Sequence, residues 1–455
     1  MPDIRIHDTR SGQQRPLVAR EPGAKVGIYA CGPTVYNRIH IGNARPFVVF
    51  SWLKRFLVHE GYDATFVANV TDVNDKIYDA ARARGIPSED LAREMTAHYV
   101  ADTDALGLGR PDHEPLASET IDGIVALIEA LLDREAAYAV DGDVYFRVRK
   151  DAEYGSLSHR HLDDLDQGEG DPDPTRPALK EDPLDFALWK AQKEGEDTAW
   201  DAPWGRGRPG WHIECSAMAE ELLGVGFEIH GGGSDLVFPH HENEAAQTRL
   251  GRGAELAQIW MHNGMLEMRG EKMSKSVGNI SLLPDVIDEW GAETILMFFA
   301  RGHYRQPLVF APDTLRDAQG FVRRVREAGR RLVDGPSPDD MAPIRDEFFE
   351  ALRDDFNTPR AVAALAAWVS EANRREGAGR DQLVEMLDIF GLAALARGGE
   401  DDGDGPDDAA VALLAARNAA REAKDWAEAD RLRDALSAAG WVVRDGPDGA
   451  ELVRP

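Results

Sequence analysis

The sequence predicts an α/β protein built on a parallel sheet. Residues 26–30 form a short apolar run that indicates a buried strand, and an amphipathic helix pattern follows a Gly-Pro turn and ends near Glu60. A second apolar run at 64–70 is again followed by a helix signal, which starts at Thr71. Strand, helix, strand and helix in this order predict a βαβ unit and therefore parallel strands.

The rest of the chain continues the alternation and ends in helices. Residues 163–178 are an acidic, Gly/Pro-rich stretch that predicts a surface loop, and 398–408 predict a charged linker. No Gly-x-Gly-x-x-Gly follows the first strand, so a dinucleotide fold is not supported. The further predicted elements are helices at 88–107 and 118–137, strands at 143–148 and 226–230, a turn at 231–233, a helix opening at 238–244, a strand at 257–261, one helix at 408–439 and a hairpin at 440–455.

The chain is too long for one ordinary domain, since it has 455 residues. The first residues lack the apolar core of a signal peptide, and no apolar run is long enough to cross a membrane. We therefore expect a cytoplasmic protein that makes no membrane contact. Only Cys31 and Cys215 are cysteines. Because a lone disulfide is unusual in a cytosolic chain, a shared metal is the better interpretation.

The formal net charge of −29 argues against nucleic-acid partners in general and is what a salt-rich cytoplasm would favour. One local cluster has the opposite sign. It consists of Arg323, Arg324, Arg326, Arg330 and Arg331. Charged helix faces are usually only solvated, so this cluster alone does not establish a binding surface.

His240 and Glu244 are four residues apart and share one face of a helix. Together with Cys31 and Cys215 they would form a Cys, Cys, His and carboxylate set, which suits zinc. His241 could exchange roles with His240. The alternative interpretation is a buried thiol, a core histidine and an exposed glutamate without any metal.

Six motifs, in the family's order, resemble the cysteinyl-tRNA synthetases, a family of class I aminoacyl-tRNA synthetases. The motifs are Cys-Gly-Pro-Thr-Val-Tyr at 31–36, His-Ile-Gly-Asn at 40–43, Gly-Trp-His-Ile-Glu-Cys at 210–215, His-Gly-Gly-Gly-Ser-Asp at 230–235, Phe-Pro-His-His-Glu-Asn-Glu at 238–244 and Lys-Met-Ser-Lys-Ser at 272–276. The resemblance extends to 354–358 and to 424–430.

The resemblance implies a Rossmann-like parallel-sheet catalytic core with an inserted connective segment, followed by an α-helical bundle and a small C-terminal α+β piece. The expected divisions are core at 1–115, connective insertion at 116–205, the second half of the core with the zinc ligands and the Lys-Met-Ser-Lys-Ser loop at 206–290, a stem-contact region at 291–335, the helical bundle at 336–400 and an anticodon-recognition domain at 408–455.

The resemblance also implies one zinc ion per subunit on Cys31, Cys215, His240 and Glu244, and ATP with Mg²⁺ as substrate. Catalytic phosphate contacts are assigned to His40, Asn43, Lys272 and Lys275. Further ATP contacts are assigned to Thr34, His230, Gly232 and Asp235. Asn43 stands where most class I enzymes have histidine; it can donate a hydrogen bond but carries no charge.

The implied cysteine-binding residues are Cys31, Thr71 and Trp211. Thr71 could instead be only a helix N-cap, and Trp211 only a core aromatic. A zinc ion that binds the substrate as thiolate would explain rejection of serine, because an ordinary pocket separates such near-isosteres by only about 10²-fold.

The implied partners are tRNA(Cys), cysteine and ATP, and we expect a monomer. The arginine cluster, with Arg301 and Arg305, is a hypothetical tRNA path. Anticodon contacts are predicted for Arg421, Asp430 and Asp445, and Arg323 and Arg326 are the stem candidates. The alternatives are a cysteine ligase of low-molecular-weight thiol biosynthesis, which would lack the C-terminal part, a non-catalytic RNA-binding derivative, and a zinc hydrolase.

Overall fold

The computed structural model describes residues 3–17, 21–162, 179–268, 271–272, 281–397, 408–446 and 449–453. It divides into two compact units, Met1–Arg397 and Gly398–Pro455. No helix in the described part of the chain is both long and apolar enough to span a membrane.

The strands are numbered along the chain. They are β1 (Arg5–Asp8), β2 (Gln13–Pro16), β3 (Lys25–Ala30), β4 (Asp63–Ala68), β5 (Ala137–Val140), β6 (Asp143–Phe146), β7 (Phe186–Ala191), β8 (Gly207–Pro209), β9 (Phe227–Gly233), β10 (Ala257–Asn263), β11 (Leu266–Met268), β12 (Glu271–Lys272), β13 (Leu308–Val309), β14 (Val442–Gly446) and β15 (Gly449–Val453).

The helices are numbered in the same way. They are α1 (Ile41–His59), α2 (Asp75–Arg84), α3 (Ser88–Asp104), α4 (Ile121–Asp133), α5 (Trp211–Leu223), α6 (Glu242–Arg252), α7 (Leu283–Trp290), α8 (Ala292–Ala300), α9 (Pro312–Arg331), α10 (Ala342–Arg353), α11 (Thr358–Ala372), α12 (Asp381–Ile389), α13 (Asp408–Glu422) and α14 (Trp426–Ala438).

The centre of the first unit is a parallel sheet with the strand order β10-β9-β3-β4. Ile28 of β3 lies between Phe66 of β4 and Ile229 of β9, and all three side chains are buried. Strands buried on both faces are the normal consequence of helical crossovers. The predicted parallel sheet and α/β class are therefore confirmed.

Strands β5 to β8 form an antiparallel sheet, and its apolar side chains share a cluster with α4, α5 and α6. The helix predicted at 118–137 is wrong at its C-terminal end, because α4 stops at Asp133 and β5 begins at Ala137. Glu135, between them, has a φ of +55°, which a helix cannot contain. Apolar periodicity alone could not separate the helix from the short strand.

The turn predicted at 231–233 is wrong, because all three glycines belong to β9 and pair with Met261 to Asn263 of β10. A Cβ atom on Gly231 would overlap both Cζ of Phe50 and the Met261 carbonyl oxygen. The absence of a side chain thus permits close packing of α1 on the sheet.

Two helix starts also differ from the prediction. α2 begins at Asp75 with Asn74 as its N-cap, so Thr71 is not a cap residue. α6 begins at Glu242, directly after a π-helical turn at Val237–His241 in which only Phe238 departs from helical dihedral angles (φ −137°, ψ 134°). His240 and Glu244 nevertheless face each other, with Nε2 of the histidine 3.0 Å from Oε1 of the glutamate.

The last helices of the first unit pack on α1. Trp52 of α1 is fully buried, its indole nitrogen donates to the carbonyl of Phe390 at 3.1 Å, and the two rings meet edge to face at 5.0 Å. These contacts join the helical region directly to the helix that follows β3.

The second unit is described by itself. Instead of the single helix predicted at 408–439 it contains α13 and α14, because Lys424 adopts a φ of +61° and ends the first helix. The predicted hairpin is confirmed by the antiparallel pair β14 and β15. Ala410, Leu436 and Trp441 form its buried core.

Candidate active site and metal centre

A group of metal-type ligands lies where the central strands end. Cys31 directly follows β3, and His240, His241 and Glu244 come from the turn before α6 and from its first residues. One ligand atom from each of these four side chains lies within 4.8 Å of all the others. The carboxyl ends of parallel strands are where α/β proteins bind ligands.

The Glu244 carboxylate is the centre of this group. Its Oε1 lies 3.0 Å from Nε2 of His240 and 3.5 Å from Sγ of Cys31, and its Oε2 lies 2.8 Å from Nε2 of His230. Burial would raise the pKa of Glu244, but His230 and His240 together hold it well below the usual range. A buried anion thus stands among imidazoles and a thiol.

Cys215 comes from α5 and completes the predicted set. Its side chain is buried and interacts with both Cys31 and His240, and it lies 3.7 Å from the side-chain oxygen of Asn69. The hydrogen bond from Cys31 lowers the pKa of the Cys215 thiol, whereas burial raises the pKa of Cys31. Cys215 is therefore in contact with the group, although the four ligand atoms that lie within 4.8 Å of one another include His241 and not Cys215.

His241 also reaches the group, so the choice between the two neighbouring histidines stays open. Its Nε2 lies 3.3 Å from Sγ of Cys31 and 4.0 Å from Glu244, while its Nδ1 lies 2.7 Å from Nε2 of His262. His240 is closer to the carboxylate, and its Nδ1 lies 3.0 Å from Nδ1 of His212.

The sequence analysis did not predict the further histidines that surround the metal-type ligands. His212 and His262 each contact one of the paired histidines, and both are buried. A signal was available for His212, which lies in the 210–215 motif next to Trp211, but none was available for His262 at the end of β10. His230, predicted to contact ATP, is fully buried, stacks on Trp260 at 4.5 Å and binds Glu244, so it lies beneath the group and not at the accessible surface.

Trp211 and Thr71 lie beside the ligand group. Trp211 is half-buried, and its ring stacks on His240 with 4.3 Å between the centroids, so it is not an ordinary core aromatic. Thr71 is buried and its hydroxyl accepts a hydrogen bond from Asn69 at 3.3 Å. Thr34 pairs with Thr71 through an isolated parallel bridge. Trp211 thus contacts the ligand group directly, and Thr71 is linked to it through Asn69, which lies 3.7 Å from Sγ of Cys215.

The predicted first ATP signature forms the N-terminus of α1. Nδ1 of His40 accepts from the Gly42 amide at 3.1 Å, and the side-chain oxygen of Asn43 accepts from the His40 amide at 3.3 Å. His40 is half-buried and Asn43 is exposed. The positive dipole end of a long helix favours phosphate, although the amides of Ile41, Gly42 and Asn43 already donate here, to the Ser281 carbonyl, to His40 Nδ1 and to the His40 carbonyl.

The other predicted nucleotide contacts differ in their surroundings. Gly232 lies in β9, where a Cβ would come within 2.9 Å of Leu236. Asp235 is exposed on the short turn Ser234–Leu236. Lys272 is the last residue of β12, and only its backbone is described; Lys275 lies outside the described residues.

The arginines of the proposed tRNA path differ from one another in their contacts and in their exposure to solvent. Arg326 forms an ion pair with Glu293, and Arg305 pairs with the buried carboxylate of Asp355 at 2.6 Å. Arg301 donates to the carbonyl of Asp317 at 3.2 Å, and Arg323 is exposed on α9. Thus Arg305 has a structural partner and is a weaker candidate for RNA than the sequence suggested.

The three predicted anticodon residues lie in the second unit. Arg421 is half-buried in the last turn of α13, Asp430 pairs with Arg433 at 3.1 Å, and Asp445 belongs to β14, where only its backbone is described.

Family models match nearly the whole chain. The model for "tRNA synthetases class I (C) catalytic domain" matches residues 18–320, the "DALR domain" matches 347–394 and the "Cysteinyl-tRNA ligase anticodon binding domain" matches 404–452. The chain belongs to the cysteinyl-tRNA synthetase family. It is therefore a class I aminoacyl-tRNA synthetase.

Full-length relatives agree with this membership. The cysteine–tRNA ligase of Caldicellulosiruptor saccharolyticus is 41% identical, with 99% of this chain and 100% of the relative covered. The cysteine–tRNA ligase of Halorhodospira halophila is 44% identical, with 99% of each chain covered. Because the synthetase match includes the anticodon-binding domain, the thiol-biosynthesis ligase is not favoured.

Solved structures show that the fold is shared with other synthetases. A Mycobacterium tuberculosis methionyl-tRNA synthetase in complex with methionyl-adenylate is 17% identical, with a TM-score of 0.59, and 82% of this chain and 88% of that chain are covered. An Agrobacterium radiobacter K84 LeuRS in a ternary complex with tRNA has a TM-score of 0.61 at 11% identity, with 83% and 84% covered. The Rossmann-like core is thus confirmed.

Proposed function

We propose that this synthetase ligates cysteine to tRNA(Cys) in two steps. The cysteine carboxylate attacks the α-phosphorus of ATP, which forms cysteinyl-adenylate and releases pyrophosphate. A hydroxyl of the terminal ribose then attacks the acyl carbon, and AMP leaves. The observation that carries this proposal is the buried thiol, imidazole and carboxylate group at the carboxyl ends of the parallel strands.

A zinc ion on Cys31, Cys215, His240 and Glu244 is part of the proposal. The donor set fits a soft dication, because one buried and one half-buried thiol lie with a buried imidazole and a buried carboxylate that has a lowered pKa. When bound, zinc would supply a Lewis acid that takes the substrate as thiolate and discriminates against a hydroxyl. His241 is the competing histidine ligand.

In this proposal the chain's own residues have the following roles. Trp211 and Thr71 would border the cysteine side chain, and Cys31 would lie against its sulfur. His40 and Asn43 would contact the phosphates of Mg²⁺-ATP at the N-terminus of α1, with Thr34, Gly232 and Asp235 around the nucleoside. Lys272 and Lys275 would neutralise the leaving pyrophosphate.

The proposal also covers the contacts with tRNA, the oligomeric state of the protein and its location in the cell. Arg323 and Arg326 would contact the acceptor stem, and Arg421, Asp430 and Asp445 would contact the anticodon. The predicted divisions at 291–335, 336–400 and 408–455 are assigned to stem contact, the helical bundle and anticodon reading. We propose a cytoplasmic monomer.

The deciding experiment is amino-acid-dependent exchange of pyrophosphate into ATP, followed by charging of tRNA(Cys). Cysteine should support exchange and serine should not, and a zinc chelator should abolish the difference by removing exchange. Exchange without charging would favour the thiol ligase, and loss of neither activity on complete removal of metal would contradict the zinc assignment.

A further inference from the structure

Arg45 lies in α1, two residues after Asn43, and its side chain is 2% exposed. Its guanidinium donates to the carbonyl of Gly264 at 2.5 Å, to that of Met265 at 3.4 Å and to that of His303 at 3.0 Å. In the described ranges no carboxylate forms an ion pair with it, and Nε has no hydrogen-bond partner.

Such a group is costly to bury, because burial lowers the pKa of Arg45 to about 10 and only carbonyl dipoles oppose this effect. A neutral side chain would fill the same space without that cost. What the guanidinium adds is a rigid fork of donors that ties separate segments together.

The first segment leads to the predicted lysine loop. Gly264 and Met265 join β10 to β11, and Glu267 of β11 pairs with Lys272 of β12. Arg45 therefore connects the helix that begins just after His40 with the strand pair that ends at Lys272.

The second segment supports the first. His303 lies in the connection before β13, and β13 pairs in parallel with β11 through Leu308 and Leu266. The Gly264 amide donates to the carbonyl of Tyr304 at 2.7 Å, and a Cβ on Gly264 would overlap the carbonyl carbon of Gln306. The two segments are thus in direct backbone contact.

The other side of this connection is fixed by Asp355. Its carboxylate accepts from the Tyr304 hydroxyl at 2.7 Å and from Nε of Arg305 at 2.8 Å. The connection before β13 is held by hydrogen bonds on both sides. Loss of the Arg45 hydrogen bonds would therefore shift β11, because the connection cannot move to compensate.

We propose that Arg45 is a positioning residue that sets the distance between the first ATP signature at 40–43 and the strand pair that carries Lys272. This inference rests on the proposed phosphate roles of Asn43, Lys272 and Lys275. The rate of in-line attack on the α-phosphorus depends on the positions of the groups that contact the phosphates. A displacement of about 1 Å can lower the rate about 10²-fold.

Arg55 provides a matched control in the same helix. Its guanidinium also donates to two backbone carbonyls, those of Asp388 at 3.1 Å and Leu108 at 3.3 Å, but neither belongs to the elements around the ATP signature. Arg55→Met should leave the rate of pyrophosphate exchange within about twofold of the parent.

Arg45→Met keeps most of the side-chain volume and removes its donors. We expect kcat of cysteine-dependent exchange to fall about 10²-fold, with the KM for cysteine and the bound zinc unchanged. Arg45→Lys keeps the charge, but its ammonium cannot reproduce the planar fork, so it should show an intermediate kcat. Thermal unfolding of both variants checks that each is folded at the assay temperature. An unchanged kcat in both variants, or an equal change in the KM for cysteine, would overturn the inference.

A double-mutant cycle with Lys275→Ala separates positioning from general destabilisation. If Arg45 acts by placing the lysine loop, the double variant should be little slower than Lys275→Ala alone. Losses that multiply would overturn the role of Arg45 while leaving the lysine assignment intact. A fully active Lys275→Ala variant would instead overturn the proposed phosphate role of the lysine, and the inference with it.

Discussion

The indole ring of Trp211 stacks on the imidazole of His240, with 4.3 Å between the ring centroids and 25° between the planes. One face of the histidine is covered in this way, while its Nε2 points to Glu244 at 3.0 Å. The aromatic ring thus packs on a proposed zinc ligand and, in the proposed function, would border the substrate thiol.

Trp211→Ala should therefore weaken cysteine binding more than ATP binding. We expect the KM for cysteine in pyrophosphate exchange to rise about tenfold, since such aromatic contacts contribute about 0.5–1.5 kcal/mol beyond buried area. Trp211→Phe retains a ring and should remain within about threefold. A rise in the KM for ATP of the same size would contradict this assignment.

Glu244→Gln should reduce the amount of zinc bound by the purified protein by at least about tenfold, because it removes the anion that faces the thiols. The matched control is Glu242→Gln in the same turn. Glu242 is also buried, but its carboxylate accepts from the amide and hydroxyl of Ser158, both at 2.8 Å, and it does not face the metal group. Elemental analysis of both variants makes the comparison, and equal zinc content would exclude Glu244 as a ligand.

His59 should make stability depend on pH. It lies 3.2 Å from Glu60 and 2.9 Å from Glu385, and the hydrogen bond to Glu60, aided by Glu385, raises the pKa of His59. A raised folded-state pKa gives stability that is fully present below the unfolded value of about 6.5 and is lost as the pH rises through the folded value.

We expect His59→Gln to lower the free energy of unfolding by about 1 kcal/mol at pH 6 and by little at pH 9. Denaturant unfolding of both proteins from pH 6 to 9 measures the difference. At lower pH the carboxylates of Glu60 and Glu385 begin to protonate, so that range is left out. A difference that grows with pH would have the wrong sign and would refute the assignment.

Gly231→Ala should destabilise the core by about 2–3 kcal/mol or more, because its Cβ would overlap Phe50 and the Met261 carbonyl. Gly320 is the control. It lies inside α9, and a Cβ on it would meet no atom within 4 Å among the described residues, so Gly320→Ala should raise stability by up to about 1 kcal/mol. Thermal unfolding should shift in opposite directions, and shifts of the same sign would show that β9 is less tightly packed than described.

The sequence by itself determined the strand beginning near Val26, the βαβ unit and the shared face of His240 and Glu244. These depend on periodicity and on neighbours close along the chain, which a sequence displays directly. Its motif order also identified the family.

Only the tertiary structure decided that the three glycines continue β9, that His230 binds Glu244, and that Arg45 holds the carbonyls of Gly264 and His303. Each of these facts depends on atoms from distant parts of the chain meeting after the helices have packed on the sheet. Local propensity carries no record of such distances, because the close approach that favours glycine, or the burial that selects a guanidinium, exists only in the folded core.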